Sequence, residues 1–264
     1  MNHAEKIKQD SIKEFGSDVT REKYKKNAKS GFWRSEKILV DKYFKTNTDI
    51  LDIGCGSGRT TVPLYNQGYK VIGVDITPEM IETAKQVAKK NNLNIDYRMG
   101  DATKLEFGDN TFDGIIFANN GWSQIPGKAS RQQALNEFYR VLKPGGILIL
   151  TSHRRYFSFY YLLFWIIKWI KFYILKPLGI KIEELDFGDR FFKRIVNEKK
   201  LKQRQYIHIA GSGEVEAQIE ASNLKLLESK TLGDVAESDA KIRHGSLEAK
   251  YNSYKSSVFF ICQK

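Results

Sequence analysis

Three glycines at alternate positions follow a short apolar run in the first quarter of the chain. The run covers Ile50–Ile53, and the glycines are Gly54, Gly56 and Gly58. Glycine lets the backbone approach a ligand closely and adopt positive φ angles, and a helix that starts after such a loop offers free N–H groups. The next apolar run ends at Asp75, where a carboxylate can accept hydrogen bonds from both hydroxyls of a ribose. These residues predict a nucleoside site at the carboxyl end of a parallel sheet.

The spacing of these glycines argues against a dinucleotide ligand. The dinucleotide fingerprint is G-x-G-x-x-G, whereas the glycines at positions 54, 56 and 58 give G-x-G-x-G. Asp52, in the preceding run, would also put an acid beside a pyrophosphate. A nicotinamide-dependent oxidoreductase is therefore disfavoured.

Short apolar runs alternate with helical patterns between residues 49 and 150. The runs are 50–53, 70–74, 95–99, 112–118 and 146–150, and the helical patterns are 60–66, 78–91 and 131–142. This alternation predicts an α/β fold with a mostly parallel sheet and helices on both faces. We expect one domain in four parts: a helical N-terminal arm over 1–48, a core that binds the nucleoside over 49–153, an aromatic-rich insertion over 154–205, and a C-terminal part of the sheet over 206–264.

Five motifs in this region occur in a characteristic order. They are Asp52–Gly58, Asp75, Gly100–Ala102, Phe112–Asp113 and Arg140–Gly146. Together they resemble the class I S-adenosylmethionine-dependent methyltransferases, and most closely the small-molecule group related to the ubiquinone and menaquinone methyltransferases. The resemblance is strong over residues 50–151 and weak outside them. It implies a Rossmann-like, seven-stranded sheet whose last strand, 257–262, is antiparallel.

The resemblance also implies S-adenosylmethionine as the cofactor, S-adenosylhomocysteine as its product, and no metal ion. The residues implied to line the amino-acid end and the ribose are Asp52, Gly54, Gly56, Gly58 and Asp75, with Asp52 facing the ammonium group through water. The residues implied to surround the adenine are Ile76, Asp101 and Ala102, with Asp101 accepting from the adenine amine. Cys55 lies within the same cofactor loop and is expected to pack rather than react. Taken singly, each glycine also fits a tight turn and each aspartate a helix cap.

Candidate residues for the transfer step follow the fourth and fifth predicted strands. Asn119 lies where the family places the sulfonium and the substrate, and Asn120 and Trp122 are candidates for substrate contacts. His153 is a candidate general base near neutral pH, although a hydrogen-bonding role in the adjacent turn is favoured, because methyl transfer often needs no base. The segment 119–122 lacks the Asn-Pro-Pro-aromatic motif of adenine-modifying enzymes, so nucleic acid is an unlikely acceptor.

The insertion begins with a dense aromatic and aliphatic stretch over residues 156–176. It is too short to span a membrane, which takes about 20 apolar residues. On a helical wheel one face has Phe159, Leu162, Leu163, Ile166, Ile170 and Tyr173, and the other has Tyr161, Trp165, Lys168, Lys171 and Phe172. We expect the first face to dock on the sheet and the second, with Tyr161 and Trp165, to contact the substrate as a lid. A membrane surface and a subunit contact are the alternatives, in that order.

The composition limits the remaining function classes. The chain has 264 residues and a formal net charge of +12, which permits an anionic partner, but a lysine-rich surface explains the charge more simply. Two cysteines exclude a disulfide scaffold. The polar N-terminal segment lacks the apolar region of a secretory signal, so we expect a cytoplasmic location, with peripheral membrane contact through 156–176 as an option.

These observations predict a methyltransferase that acts on a small or lipophilic acceptor at oxygen, nitrogen or carbon. The alternatives are a protein that binds S-adenosylmethionine or another nucleoside without catalysis, and a nucleic-acid methyltransferase.

Overall fold

The computed structural model describes residues 2–155, 159–196, 201–237 and 257–264. The first elements are α1 (His3–Gly16), α2 (Asp18–Ala28), α3 (Arg34–Tyr43), β1 (Asp49–Ile53), α4 (Thr61–Asn66), β2 (Lys70–Asp75), α5 (Pro78–Lys90) and β3 (Asp96–Met99). They are followed by β4 (Phe112–Phe117), a 3-10 turn (Gly121–Gln124), α6 (Lys128–Val141) and β5 (Leu142–His153). The last elements are α7 (Phe159–Ile170) with a π-helical turn (Lys171–Leu175), β6 (Asp189–Val196), β7 (Leu201–His208), α8 (Glu214–Ala221), β8 (Lys225–Thr231), α9 (Leu232–Val235) and β9 (Ser257–Gln263).

Seven of these strands form one sheet in the order β3-β2-β1-β4-β5-β9-β8. Strands β1 to β5 pair in parallel, whereas β9 is antiparallel to both of its neighbours, β5 and β8. The prediction of a seven-stranded, mostly parallel sheet with an antiparallel last strand is confirmed. The strand order reverses at β1, which lies between β2 and β4, and such a reversal opens a crevice for a ligand at the carboxyl ends of the strands.

The core explains why the predicted strands are continuously apolar. Ile50 and Leu51 are adjacent on β1, so they point to opposite faces of the sheet, and both are fully buried. Leu51 belongs to the apolar cluster that contains Phe138 of α6, while Ile50 belongs to the cluster that contains Leu39 of α3. Helices therefore cover both faces, as expected for parallel strands.

The N-terminal arm consists of three helices that lie against the folded body. The side chain of Asn2 accepts a hydrogen bond from the backbone N–H of Glu5 at 2.8 Å and thereby caps the start of α1. Near the other end of α1, the buried carboxylate of Glu14 accepts from Nε2 of Gln205 at 2.8 Å. This second bond connects the arm to β7, some 190 residues away in sequence.

The predicted boundary between residues 205 and 206 is wrong as a division of the sheet, because it falls inside β7. Strand β7 pairs with β6 in a separate two-stranded sheet. Two side chains of β7 bind the same acid of β6: the hydroxyl of Tyr206 donates to Asp189 Oδ1 at 2.9 Å, and Nδ1 of His208 lies 2.8 Å from it. The segment 206–210 therefore belongs to the insertion rather than to the main sheet.

The predicted orientation of α7 is also wrong. The face expected to dock on the protein is exposed, and Leu163 retains 68% of its accessible surface. The face expected to be free packs inward: Trp165 lies edge-on to Phe187 with ring centroids 6.0 Å apart, and the guanidinium of Arg155 lies 5.2 Å from the Trp165 ring. The inward face prevails because aromatic rings and cations find specific partners there.

Candidate functional site

A cavity of about 300 Å³ opens at the carboxyl ends of β1, β2 and β4, within the size range of small-molecule sites. Its sheet side is lined by residues that include Gly54, Gly56, Asp75, Ile76, Asp101, Ala102 and Asn119. Its opposite side comes from α1 and α2, with residues that include Glu5, Lys8, Ile12, Phe15 and Tyr24. The segment before α6 adds Gln124, Ile125 and Pro126. Seven of the predicted cofactor residues therefore meet in one place.

The glycine loop lines the cavity, and Gly54 has no room for a side chain. Gly54 has φ +63°, and a Cβ atom there would lie 2.8 Å from Cε2 of Phe117. Any other residue would combine a strained backbone with a steric clash. Gly56 has φ +55° and its N–H donates to Oδ2 of Asp75 at 2.9 Å. The loop is thereby fixed to the end of β2.

Asp75 is held by the backbone on both oxygens. Oδ1 accepts from the N–H of Thr77 at 2.8 Å, and Oδ2 accepts from the N–H of Gly56. Burial raises the pKa of Asp75 above its ordinary value, while these hydrogen bonds act in the opposite direction. The side chain of Thr77 and the backbone of Ile76 also interact with Asp75, and the residue lines the cavity, where donors of a ligand can reach it.

Asp101 is engaged by a residue of the N-terminal arm. Its Oδ1 accepts from the N–H and the hydroxyl of Thr103, each at 2.9 Å, and its Oδ2 accepts from the ammonium of Lys8. Burial alone would raise the pKa of Asp101, but Lys8 and Thr103 hold it below its ordinary value. The carboxylate is therefore ionised near neutral pH, and a ligand amine would share Oδ2 with Lys8.

Asn119 lies beside Tyr24 at the end of β4. It adopts the left-handed conformation with φ +55°, which asparagine tolerates better than most residues, and its side chain hydrogen-bonds with Tyr24. Burial, with the carboxylates of Glu14 and Asp75, raises the pKa of Tyr24 to about 12. The Tyr24 hydroxyl is therefore protonated at neutral pH and available as a hydrogen-bond donor.

Asp52 lies behind the loop and outside the cavity lining. It is buried, and its Oδ2 accepts from the hydroxyls of Thr60 at 2.7 Å and Thr61 at 2.6 Å. Burial raises the pKa of Asp52 to about 7, with the two hydroxyls acting against this shift. These contacts link β1 to the start of α4, and the implied contact of Asp52 with the cofactor ammonium stays a prediction.

Cys55 and Gly58 also lie beneath the loop surface rather than on the cavity wall. Cys55 is buried, and burial raises the pKa of its thiol well above the ordinary value, which agrees with packing rather than reaction. A Cβ atom at Gly58 would lie 2.4 Å from the hydroxyl of Tyr97. Both residues therefore shape the loop from below.

The three candidates around β4 and β5 are not brought to the cavity. Trp122 is 0% exposed and belongs to the core cluster, with the guanidinium of Arg131 lying 5.2 Å from its ring. Asn120 is buried and donates through Nδ2 to Ser257 Oγ at 3.3 Å. The backbone of His153 donates to Ser123 Oγ at 2.9 Å, and its carbonyl accepts from the N–H of Ala210. Asn120 therefore connects neighbouring segments through its side chain, the role of the His153 side chain stays a prediction, and the expectation that Trp122 walls the pocket is corrected.

Tyr161 and Trp165 are likewise absent from the cavity lining, so the described part of the insertion does not form the predicted lid. The arm takes this place, because α1 and α2 supply its cover: Lys8, Ile12, Phe15 and Tyr24. Sequence reasoning missed these residues. The available signal was the pattern of apolar residues in the polar arm, Ile7, Ile12, Phe15 and Tyr24, which needed a surface to pack against.

Comparisons with known proteins agree with this geometry. Residues 50–146 match a family model described as a methyltransferase domain. A demethylmenaquinone methyltransferase from Symbiobacterium thermophilum is 37% identical over 131 residues, which cover 48% of this chain and 50% of that protein. A crystal structure of a SAM-dependent methyltransferase from Methanosarcina mazei has a TM-score of 0.64 at 20% identity and covers 89% of this chain and 98% of that one. The [4+2]-cyclase SpnF shares the fold with a TM-score of 0.57 at 16% identity, covering 87% and 80% of the two chains.

The strand order and the position of the cavity define a Rossmann-like methyltransferase fold. Over residues 50–146 the chain matches a methyltransferase domain, and its motifs are similar to those of the class I S-adenosylmethionine-dependent methyltransferases, as the resemblance implied. The chain spans about half the length of the curated relatives it matches.

Proposed function

We propose that this protein binds S-adenosylmethionine in the cavity and transfers its methyl group to a small or lipophilic acceptor. The observation that carries the proposal is Asp75, a carboxylate anchored by Gly56 and Thr77 that faces the cavity. An acid at the end of this strand suits the two hydroxyls of a ribose. The G-x-G-x-G spacing of the loop differs from the dinucleotide fingerprint, in keeping with a nucleoside that carries an amino acid rather than a pyrophosphate.

The other cavity residues fit the two ends of this cofactor. Ile76 and Ala102 lie on the wall beside Asp101, so they offer an apolar surface, a backbone N–H and a carboxylate to an adenine ring. Gly54 and Gly56 line the cavity without side chains, which suits the amino-acid end of the cofactor. These assignments follow the family motif residue by residue.

When bound, S-adenosylmethionine supplies a methyl group already activated on a sulfonium, so the protein mainly positions the acceptor and excludes water. The arm helices α1 and α2 cover the cavity. The amide of Asn119 and the hydroxyl of Tyr24 can hold a polar atom of the acceptor. Because the pKa of Tyr24 is about 12, we assign Tyr24 to donation and positioning rather than to proton removal.

The acceptor is inferred to be lipophilic from the apolar residues that line the cavity. They include Ile12, Phe15, Ile125 and Pro126, which offer little polar surface. The name of the Symbiobacterium relative, a demethylmenaquinone methyltransferase, supports an apolar, quinone-like acceptor. Analysis of the methylated product would identify the acceptor atom as oxygen, nitrogen or carbon.

The test combines binding with turnover. S-adenosylhomocysteine should raise the melting temperature of the protein, and NAD should leave it unchanged. With S-adenosylmethionine labelled on the methyl group, a panel of quinols, phenols and amines should yield a labelled organic product. Asn119→Ala should reduce turnover about tenfold or more, whereas Asn66→Ala, on the exposed end of α4, should not. Absence of any stabilisation by S-adenosylhomocysteine would refute the proposal.

One observation favours a second candidate, binding of the cofactor without methyl transfer. The [4+2]-cyclase among the fold neighbours bears a name for a different chemistry on a similar fold. A protein of this kind would be stabilised by S-adenosylhomocysteine but would label no acceptor in the panel. The same pair of measurements therefore separates the two candidates.

A further inference from the structure

The helix α7 and the turn after it expose a continuous apolar surface. Among the described residues, eleven of the fourteen exposed large hydrophobic side chains lie between positions 159 and 180. They include Leu163, Ile167 and Leu178, which are 68%, 56% and 73% exposed. Monomeric soluble proteins rarely leave so many large apolar side chains together in water. We call this region the α7 apolar surface.

This surface faces outward because the other side of α7 is fixed to the protein. Trp165 packs on Phe187, and Phe187 also lies under the guanidinium of Arg155 at 4.4 Å. Lys168 forms an ion pair with Glu184, whose carboxylate is only 7% exposed. With these contacts on its inner side, α7 cannot turn its aliphatic side chains inward without losing buried ion-pair and ring contacts. The exposure is therefore a consequence of the packing beneath it.

The α7 apolar surface does not serve the cavity described above. No residue between 159 and 180 lines that cavity in the part of the chain that the structure describes. The cavity therefore does not explain this surface, whether or not the proposed methyl transfer is correct.

The charges near the surface indicate which kind of partner fits. The segment 159–182 contains four lysines, at 168, 171, 176 and 181, and is followed by Glu183 and Glu184. Lys168 and Lys171 pair with Glu184, and Lys176 donates to its carbonyl. Lys181 is exposed, the side chain of Lys171 is still 44% exposed, and the whole chain has a net charge of +12. A second copy of the chain would bring like charges together, whereas an anionic lipid surface would attract them.

We propose that the α7 apolar surface binds an anionic lipid bilayer, with α7 lying in the plane of the membrane interface. Its 12 residues span about 18 Å, a length suited to lying flat. Across the described residues, no helix has the length and apolar character needed to cross a membrane. Trp169 and Tyr173, whose ring centroids are 5.7 Å apart on this surface, are the residue types that prefer the headgroup region.

Co-sedimentation with vesicles tests this proposal on the full chain. The protein should sediment with vesicles of equal parts phosphatidylcholine and phosphatidylglycerol, and less with phosphatidylcholine alone or at high salt. Leu163→Glu combined with Ile167→Glu should weaken binding about tenfold or more, because each aliphatic side chain loses its burial in lipid. The matched control, Ile38→Glu with Leu227→Glu, places the same charges at exposed apolar positions on α3 and β8 and should bind like the wild type.

Trp169 provides a second measurement that needs no charged variant. Brominated lipids should quench wild-type fluorescence, and Trp169→Phe should remove most of that quenching. The proposal is overturned if the wild type ignores anionic vesicles, if the control pair loses binding as the α7 pair does, or if brominated lipid leaves the fluorescence unchanged. It is equally overturned if analytical ultracentrifugation shows a dimer that the double variant Leu163→Glu, Ile167→Glu dissociates. The α7 apolar surface would then bind a second copy of the chain.

Discussion

Two groups of polar side chains lie within this protein and use their hydrogen bonds in different ways. In the cavity, Asp75 is held by Gly56 and Thr77, and it lines open space together with Asn119. Within the insertion, both ring nitrogens of His208 are engaged: Nδ1 lies 2.8 Å from Asp189 Oδ1, and Nε2 lies 2.8 Å from Glu214 Oε1. The first group can bind a ligand, and the second holds the β6–β7 sheet on the body of the protein.

The second group shows why proximity of ligand-type atoms is a weak indicator of a site. Asp186, Asp189 and His208 bring oxygen and nitrogen atoms as close together as a metal ion requires. Both ring nitrogens of His208 already face carboxylates, and Arg131 donates to Asp186 at 2.9 Å. Arg131 and His208 thus take the place beside these carboxylates that a metal ion would occupy. Polar groups that face open space, rather than polar groups that lie close together, distinguish the cavity.

The largest expected effect is on stability, from removing the acid at the centre of this network. Asp189→Ala leaves the Tyr206 hydroxyl, His208, and the N–H groups of Leu185 and Asp186 without their acceptor. Breaking a buried ion pair from one side costs about 3–5 kcal/mol, measurable as a loss in the free energy of unfolding in urea. Asp96→Ala, which removes an exposed pair with Arg98, should cost less than about 1 kcal/mol. Equal losses would mean that the network does not hold the insertion.

The next largest effect is on cofactor affinity. Asp75→Ala should weaken S-adenosylhomocysteine binding about a hundredfold, because hydrogen bonds to a charged acceptor contribute about 1.5–3 kcal/mol each. Calorimetric titration measures this change.

Asp52→Asn is the matched comparison, since an amide oxygen can still accept from Thr60 and Thr61. It should leave the affinity within about threefold of the wild type. A large loss in Asp52→Asn would restore the cofactor contact that the family motif implies, and unchanged binding in Asp75→Ala would remove Asp75 from the site.

Stability should fall as the pH rises above neutrality. Burial alone would lower the pKa of His208, but Asp189 and Glu214 raise it above its ordinary value. A raised histidine pKa stabilises the fold below the unfolded pKa, and this contribution is lost as the pH rises through the folded pKa. Burial raises the pKa of Asp52 to about 7, so its contribution falls between the ordinary carboxyl pKa of about 4 and pH 7 and is fully lost above that pH.

Urea titrations between pH 5 and pH 9 separate the two groups. His208→Gln should remove the part of the pH-dependent stability that comes from His208 and its two carboxylate partners. Asp52→Asn should remove the part that comes from Asp52. A wild-type stability that rises across this range would contradict both assignments.

At low pH the opposite effect is expected from Glu214, because its contribution to stability falls as the pH falls. His208 and the N–H of Gly211, opposed by burial, lower the pKa of Glu214 to about 2. A lowered carboxyl pKa stabilises the fold above the unfolded pKa, and the contribution disappears as the pH falls towards 2. Asp75, whose pKa is raised, should contribute nothing of this kind.

The smallest expected effect concerns Lys8, which links the arm to the cavity. Lys8→Met keeps the length of the side chain but frees Oδ2 of Asp101 for the adenine amine. We expect S-adenosylhomocysteine to bind about threefold more tightly. The effect is small because a partly exposed ion pair contributes little free energy. Weaker binding would show instead that Lys8 holds α1 over the cofactor.

The sequence predicted the cavity better than its cover for a physical reason. Gly54 and Asp75 act through the backbone of a β-strand, a loop and a helix start, so their roles follow from local spacing. The cover depends on contacts between distant segments, such as Glu14 with Gln205, which no local pattern specifies. The face of α7 was predicted wrongly because hydrophobic periodicity finds two faces but cannot tell which one meets Phe187 and Glu184.

Hydrogen exchange with and without S-adenosylhomocysteine tests the central claim most directly, because it reads both regions in one experiment. Binding should slow exchange in α1, in the loop at 54–58, at 75–77 and at 100–103, where the cavity residues lie. Exchange in α7 and in the β6–β7 sheet should stay unchanged, since their contacts do not involve the ligand. Protection in α7, or none in α1 and the glycine loop, would contradict the division between a binding region and a holding region.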